Sequence, residues 1–234
     1  MFRATKLLAL LAMTMSLFAC ELQEIEDFDT SEELEDALLA ADEASELPPT
    51  VIAGGRIDNT SNGSVGYLQL DNGHVFCSGQ LITPTIFLTA AHCITALRDN
   101  NIAVTSVSVG FGAVASNIKV KARAAAFHPD YDGQVTNAFD VGVVALSAPI
   151  AGIPTARIGK PSVGTKVTIL GYGNNDNGVA YLRKSGDSWI SRALASGGFE
   201  LTGIARTCRG DSGGAAMRSG VPVSYTHLTL PTMS

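Results

Sequence analysis

Residues 208–214 read Cys208-Arg209-Gly210-Asp211-Ser212-Gly213-Gly214, so three glycines surround an Asp-Ser pair. Glycine lets the backbone turn sharply and approach another segment closely, and a serine in such a turn can be presented as a nucleophile. A plain surface turn and the G-x-S-x-G elbow of an α/β-hydrolase are two other interpretations of the same residues.

Two further segments contain the groups that a nucleophilic serine requires, namely a base and a carboxylate that orients the base. Thr89-Ala90-Ala91-His92-Cys93 contains a histidine, and Phe139-Asp140-Val141-Gly142 places a carboxylate before an apolar run. Taken singly, such a histidine is usually structural, and such an aspartate is often a cap. Chain order excludes the hydrolase elbow, whose aspartate and histidine follow the serine, because only 22 residues follow Ser212 and their single histidine is His227.

From Val51 onward, short apolar runs alternate with glycine-rich turns, a pattern that is typical of an antiparallel sandwich or barrel. Strands are predicted at residues 65–70, 74–82, 85–89, 104–109, 118–126, 141–146, 166–170, 180–184, 188–193, 200–204 and 214–217. Asn72-Gly73 predicts a type I′ hairpin turn between the first two of these strands.

The three blocks, in the order His, Asp, Ser, resemble the signature segments of the trypsin-like serine proteases. Cys77-Ser78-Gly79-Gln80-Leu81-Ile82 resembles the family's Cys-Gly-Gly-Ser-Leu-Ile strand, and Gly171-Tyr172-Gly173 resembles its Gly-Trp-Gly segment. His128-Pro129-Asp130-Tyr131 resembles the turn ahead of the catalytic aspartate, which implies a structural role for His128. The resemblance covers residues 52–223 and implies an all-β chymotrypsin fold of two packed six-stranded antiparallel Greek-key β-barrels, of which the second is incomplete.

The function implied by the resemblance is that of a serine endopeptidase that hydrolyses protein or peptide substrates through an acyl-enzyme. Ser212 is the expected nucleophile, His92 the base and Asp140 the residue that orients the base, while the backbone N–H groups of Gly210 and Ser212 form the oxyanion hole. The resemblance also pairs Cys77 with Cys93. No metal or other cofactor is expected, and the protein is expected to be a monomer.

Two alternatives are non-catalytic. One is a protease-like binding lipoprotein, and the other is a lipoprotein whose functional part is the acidic N-terminal segment, with the barrel as a scaffold. The complete set of triad residues argues against the first.

Activation by cleavage is also implied, because Ile52-Ala53-Gly54-Gly55 resembles the first residues of the mature enzymes. A cut after Val51 by another protease frees the Ile52 amine to pair with Asp211. Val51 departs from the family pattern, which has Lys or Arg before the cut, so a trypsin-like activator does not fit this zymogen.

Substrate preference is the least determined property. Arg206 stands six residues before Ser212, at the position that forms the base of the primary specificity pocket, and family members that cut after Lys or Arg have Asp there. Arg209 is assigned to the same pocket. An arginine at its base favours an acidic side chain in the substrate through charge pairing.

Residues 1–19 form the predicted signal peptide, with Arg3 and Lys6 ahead of an apolar stretch over residues 7–18 that is too short to span a bilayer. It ends Leu17-Phe18-Ala19-Cys20, which resembles a bacterial lipobox with Cys20 as the lipidated residue. An ordinary signal peptide with an incidental cysteine is the alternative. The protein is therefore expected to be bacterial and exported, as an outer-membrane lipoprotein or as a periplasmic or secreted protein after processing.

Residues 20–51 are predicted to be an acidic linker or pro-segment. Residues 21–46 contain 12 of the 22 acidic residues and no Lys or Arg, whereas residues 52–234 contain 10 acidic and 14 basic residues, a net charge of +4. Residues 31–39 fit a short amphipathic helix or a disordered tether about equally. No basic cluster indicates a nucleic-acid partner.

Residues 224–234 do not fit the protease pattern and resemble a translated sequencing-adapter tail. We therefore expect this stretch to be non-native and the protease domain, residues 52–223, to be truncated. Truncation leaves the second barrel open and the pocket incomplete, so the given fragment can be inactive although the full-length protein is active. The expected disulfide partner of Cys208 then lies outside the given sequence.

Overall fold

The computed structural model describes residues 55–59, 63–113, 118–134, 139–160, 162–173, 182–194, 198–203, 205, 207 and 209–224. All of them lie in the unit formed by residues 49–234. The predicted signal peptide, the predicted lipidation site at Cys20 and the acidic segment lie outside the described residues. So do Val51, Ile52, Arg206 and Cys208.

Strands make up most of the regular secondary structure in the described residues. They are β1 (Arg56–Ile57), β2 (Val65–Leu70), β3 (Val75–Thr83), β4 (Ile86–Thr89), β5 (Val107–Phe111), β6 (Lys119–Phe127), β7 (Gly142–Leu146), β8 (Lys166–Gly171), β9 (Lys184–Ala193), β10 (Phe199–Thr202), β11 (Ala215–Arg218) and β12 (Val221–Ser224). The described α-helix is α1 (Ala91–Asp99), and a 3₁₀ turn covers Val104–Ser106.

The first half of the described chain forms a closed antiparallel barrel with the strand order β2-β3-β4-β7-β6-β5. Its strands alternate inward and outward residues, as in β7, so one face of each strand contributes to a common core. Phe87 and Phe111 lie at the centre of this core with their rings edge to face, 5.8 Å apart. Closure leaves no strand edge unpaired in this half.

The second sheet is open and six-stranded, with the order β1-β9-β8-β11-β12, and β10 pairs with a further stretch of β9. All of its strands except β1 come from the second half of the described chain. Its core is smaller and is built around Val167, Ile169 and Ile190. The predicted all-β class is therefore confirmed, with one closed barrel and a second sheet that is open across the residues described.

A shared cluster of apolar residues joins the two halves. The Tyr67 ring of the barrel and the Tyr172 ring of the second sheet meet edge to face at 4.9 Å, among residues from both halves. The Tyr172 hydroxyl donates a hydrogen bond to Gly112 O at 2.5 Å, just beyond β5. Tyr172, which stands where the resembled family has Trp, thus joins the sheet to the barrel through its ring and its hydroxyl.

The turn between β2 and β3 differs from the prediction. Gly73 has φ +91°, whereas Asn72 is not among the residues with positive φ, and a type I′ turn requires positive φ at both central residues. The Gly73 N–H bonds to Leu70 O and the Leu70 N–H to His74 O. This is a three-residue hairpin loop closed by a left-handed glycine, because the register places Asp71 in the loop as well.

Helix α1 and strands β1 and β12 were not predicted, and residues 104–106 form a 3₁₀ turn where a strand was expected. Residues 184–193 form one continuous strand, β9, where separate strands at 180–184 and 188–193 were expected. Helix α1 buries Ile94 and Leu97, a spacing of three that places both on one face. No helix in the described part of the chain combines the length and the apolar character needed to cross a membrane.

Candidate active site

The pairing of β4 with β7 brings two of the predicted site residues together. Thr89 at the end of β4 is the register partner of Gly142 at the start of β7. His92 follows β4 in the first turn of α1, and Asp140 lies two residues before the start of β7. A Cβ at Gly142 would lie 2.5 Å from Ile94 Cδ1 and 3.1 Å from Ala90 O, so glycine at this position allows the helix to pack against the strand.

A buried carboxylate holds His92 at two points. Asp140 Oδ2 lies 2.7 Å from His92 Nδ1, and Asp140 Oδ1 accepts the His92 backbone N–H at 2.8 Å. Asp140 is fully buried, whereas the His92 side chain keeps 20% of its exposure. The contact favours the tautomer with the proton on Nδ1, so Nε2 is the nitrogen able to accept a proton from a nucleophile.

A disulfide ties the histidine segment to the barrel wall. Cys77 in β3 and Cys93 in α1 are bonded across a separation of 16 residues, as the resemblance implied. The bond fixes Cys93, the residue next to His92, to the barrel wall. Cys77, His92 and Cys93 also form the one cluster of potential metal ligands found among the described residues, but both sulfurs are already used in the disulfide.

The Ser212 segment lies beside the histidine segment although it belongs to the second half of the chain. Ser212 O accepts the backbone N–H of Ser78 at 2.8 Å and lies 3.9 Å from Cys93 Sγ. A Cβ on Gly213 would lie 2.8 Å from Ala90 N. Glycine after Ser212 is therefore required for the two segments to approach this closely.

The turn that contains Ser212 has two glycines with positive φ. Gly210 has φ +91° and Gly213 has φ +79°, and the Gly214 N–H closes the turn on Asp211 O at 2.8 Å. A side chain at Gly210 would be strained in this conformation. The structure describes both predicted oxyanion residues, Gly210 and Ser212, within this turn.

Asp211 is buried beside the end of β8 in the second sheet. It is 4% exposed, and its Oδ1 accepts the Gly173 N–H at 2.7 Å. The Lys184 ammonium, 1% exposed, donates to Gly173 O at 3.1 Å. The buried carboxylate and the buried ammonium thus bind opposite ends of the same glycine residue.

Two predicted residues lie at the margins of the site. Arg209 is exposed, next to Gly210, on the surface side of the turn. His128 stacks on Phe139 at 4.6 Å and its Nδ1 accepts the Asp130 N–H, so it supports the segment that carries Asp140. These contacts agree with the structural role expected for His128.

Sequence reasoning did not identify Ser78, Lys184 or the buried ion pair between Asp58 and Arg183. The Arg183 Nε lies 2.9 Å from Asp58 Oδ2, and both side chains are at least 97% buried. One signal was available for Ser78, because this serine stands where the resembled strand has glycine. For Lys184, its position in a predicted strand did not show that it faces inward.

Two buried tyrosines behind the site stay neutral across ordinary assay conditions. Burial raises the pKa of Tyr67 to about 12. Burial is also the main cause of the raised pKa of Tyr172, which the nearby Arg183 partly offsets. Neither phenol changes charge between pH 5 and pH 9, so neither contributes to a pH profile in that range.

Comparison with known proteins identifies the family. The family model described as trypsin matches residues 52–227. A trypsin of Saccharopolyspora erythraea is 32% identical over 169 residues, covering 63% of this chain and 72% of the relative. Trypsin iota of Drosophila melanogaster is 30% identical over 167 residues, covering 61% of this chain and 64% of the relative.

Solved structures agree on the fold. The chain is similar to a structure described as neuropsin, a serine protease expressed in the limbic system of mouse brain, with a TM-score of 0.58, 20% identity and coverage of 72% of this chain and 83% of that one. It is also similar to human heparin binding protein, with a TM-score of 0.62, 17% identity and coverage of 76% and 85%. These similarities confirm the chymotrypsin fold expected from the resemblance.

The family match covers well over half of the sequence and includes all three blocks from which the analysis began. The chain therefore belongs to the trypsin family of serine proteases.

Proposed function

We propose that this protein is an endopeptidase that cleaves peptide bonds with Ser212 as nucleophile, His92 as general base and acid, and Asp140 as the residue that orients His92. The observation that carries the proposal is the 2.7 Å contact between His92 Nδ1 and the fully buried Asp140 carboxylate, beside the segment that contains Ser212. A buried carboxylate that is hydrogen-bonded to His92 at two points fixes the orientation of the imidazole and stabilises its charged form.

The reaction proceeds in two acyl-transfer steps. Ser212 Oγ attacks the substrate carbonyl while its proton passes to His92 Nε2. The tetrahedral intermediate collapses when His92 returns that proton to the leaving amine, and the acyl group remains on Ser212. Water then attacks the ester by the same sequence, releasing the carboxylic acid and restoring the Ser212 hydroxyl.

The backbone N–H groups of Gly210 and Ser212 stabilise the negative oxygen of each tetrahedral intermediate. The positive φ of Gly210 supports this assignment, because it turns successive amides toward one side of the loop. Loss of one such donor typically lowers the rate roughly 10²–10³-fold.

The protein is made as a zymogen in this proposal, and an activating protease cuts after Val51. The amine freed on Ile52 then pairs with the buried Asp211. Support comes from β1, which pairs with β9 at Lys184 and Ser185, so the chain just after residue 54 lies near the residues around Asp211. N-terminal sequencing of the active form is expected to begin at Ile52, and a different first residue contradicts the proposal.

Substrate selection is assigned to Arg206 and Arg209, which favour acidic side chains next to the scissile bond. The exposed Arg209 beside Gly210 supports a positive charge at the rim of the site. A peptide-library profile is expected to show an acidic preference that Arg206→Ala removes. A profile without that preference in the unsubstituted protein ends this part of the proposal.

The regions outside the described residues are assigned from sequence. Residues 1–19 direct export, Cys20 carries lipid, and residues 20–51 form the pro-segment ahead of the protease domain, so that cleavage after Val51 releases a periplasmic or secreted enzyme from the membrane. Metabolic labelling with a radioactive fatty acid tests the anchor. Label is expected on the precursor and absent from Cys20→Ser, whereas an unlabelled precursor contradicts lipidation.

Covalent labelling with a fluorophosphonate tests the central assignment. The probe is expected to modify the purified protein at Ser212, with loss of fluoride, and to leave Ser212→Ala unlabelled. His92→Ala is expected to label far more slowly, which separates an activated serine from a merely exposed one. A folded protein that does not label at Ser212 supports the catalytically inactive, protease-like binding lipoprotein instead.

A further inference from the structure

Ser78 occupies an unusual position in the wall of the first barrel. It lies in β3 directly after Cys77, and it is fully buried. The resembled strand has glycine at this place, so the hydroxyl is a feature of this chain. A buried hydroxyl is costly unless it is hydrogen-bonded, which makes its partners informative.

Ser78 binds both residues that are assigned to the oxyanion hole. Its Oγ donates a hydrogen bond to Gly210 O at 2.7 Å, and its backbone N–H donates to Ser212 O at 2.8 Å. The contact with Gly210 spans 132 residues of sequence. One residue of the closed barrel therefore holds the nucleophile turn of the second sheet on both sides of Asp211.

The same hydroxyl also fixes a second segment of the site. Ser78 Oγ accepts the Tyr172 N–H at 2.8 Å, and the next residue, Gly173, donates its N–H to Asp211. Thr89 Oγ1 in turn donates to Ser78 O at 2.8 Å, linking the network to the strand that precedes His92. The hydroxyl is thus a donor to one loop and an acceptor from another, with both roles filled.

We propose that Ser78 is a positioning residue for the oxyanion hole, acting through Gly210 and Ser212 rather than on substrate. A hydrogen bond to Gly210 O restricts rotation of the backbone on the carboxyl side of Gly210, and the bond to Ser212 O does the same beyond the nucleophile. The two amides are then preorganised before charge develops, which is how an oxyanion hole accelerates acyl transfer. This inference rests on the proposed endopeptidase function.

A purely structural role for Ser78 predicts a different result from a positioning role. Loss of stability alone lowers the fraction of folded protein, which circular dichroism measures, and slows labelling only in proportion to that fraction. Loss of positioning lowers the rate constant of labelling for each folded molecule, because the phosphoryl oxygen occupies the oxyanion hole. The labelling rate constant divided by the folded fraction therefore distinguishes the two roles.

The test compares Ser78→Ala with Ser188→Ala in time courses of fluorophosphonate labelling, over a range of probe concentrations. Ser188 is the matched control, because it is also a fully buried strand serine whose hydroxyl donates to one backbone carbonyl, Thr202 O at 2.9 Å, within the second sheet. Ser78→Ala is expected to slow the limiting rate about tenfold, the effect of one lost hydrogen bond, without weakening the initial binding of the probe. Ser188→Ala is expected to keep the original rate constant.

Ser78→Gly serves as the second variant, because the resembled family tolerates glycine in this strand and the fold should survive. It is expected to slow the limiting rate at least as much as Ser78→Ala. Rate constants unchanged in both Ser78 variants overturn the inference, as does an equal loss in Ser188→Ala. An unsubstituted protein that does not label at all instead overturns the proposed function on which the inference rests.

Discussion

The two halves of the molecule differ in how they hold their share of the site. The first barrel is closed, contains the disulfide between Cys77 and Cys93, and supports His92 and Asp140. The second sheet is open across the described residues, and its Ser212 lies in a turn before β11. His92, the proposed base, therefore lies in the more constrained half, while the turn that contains Ser212, the proposed nucleophile, makes contacts that reach across to the barrel.

Specific hydrogen bonds join the halves in the part of the chain that the structure describes. Ser78 binds Gly210 and Ser212, and the Tyr172 hydroxyl binds Gly112 O and Val65 O. Each joins residues that are far apart in sequence. Catalysis should therefore be sensitive to changes at these contacts, and stability should respond differently to changes within each half.

Removal of the charge on Asp140, in the first barrel, is expected to cause the largest effect, a loss of catalytic activity. Asp140→Asn keeps the shape of the side chain but favours the wrong tautomer of His92, because an amide N–H can then face Nδ1. We expect kcat to fall roughly 10⁴-fold with little change in KM. Circular dichroism and melting temperature provide the control for folding, and a variant with less than a tenfold loss would contradict the assigned role.

Breaking the buried ion pair between Asp58 and Arg183 tests how much it stabilises the half that contains the open sheet. Arg183→Met removes the cation beside the buried Asp58 carboxylate, and this type of change typically costs about 3–5 kcal/mol of unfolding free energy. Urea unfolding measures the loss. The double variant with Asp58→Asn is expected to recover a large part of it, since no buried charge remains, and a double variant as unstable as Arg183→Met argues against this explanation.

Removal of the disulfide tests how much this bond stabilises the closed barrel. The Cys77→Ala and Cys93→Ala double variant releases a loop of 16 residues, for which the chain-entropy estimate is about 3 kcal/mol. Hydrogen exchange is expected to rise mainly in β3, β4 and α1, and less in β8 and β9. Equal acceleration in both halves would show that they do not unfold as separate units.

The smallest effect is expected at an exposed ion pair on the second sheet. The hydrogen bond from Lys166 lowers the pKa of Asp187 below its ordinary value of 3.8. A depressed pKa stabilises the folded state above the unfolded value, and this stabilisation disappears as the pH falls through the folded value, below about pH 4. Both side chains are about half exposed, so Asp187→Asn should change stability by less than about 0.5 kcal/mol at pH 7. A loss above 1 kcal/mol in urea unfolding would contradict this estimate.

The sequence predicted the parts of the site that local motifs encode. His92, Asp140 and Ser212 stand in short signature blocks, and the pairing of Cys77 with Cys93 came from the same resemblance. The contacts of Ser78, Lys184 and Arg183 were not predicted, because each depends on which side chains a distant segment presents after folding.

Local errors have similar causes. Asn72-Gly73 does not distinguish a two-residue loop from a three-residue loop, and the register of β2 against β3 selected the latter. Ala90 provides no side-chain cap for helix α1, so the sequence contains no capping signal that predicts where the helix begins.

Hydrolysis of an unbiased peptide library by the purified protein, read by mass spectrometry, tests the central claim most directly. The account predicts internal cleavages that yield pairs of complementary fragments, and their absence with Ser212→Ala. A folded, correctly processed protein that produces no fragments, or produces the same fragments with and without Ser212, would contradict it.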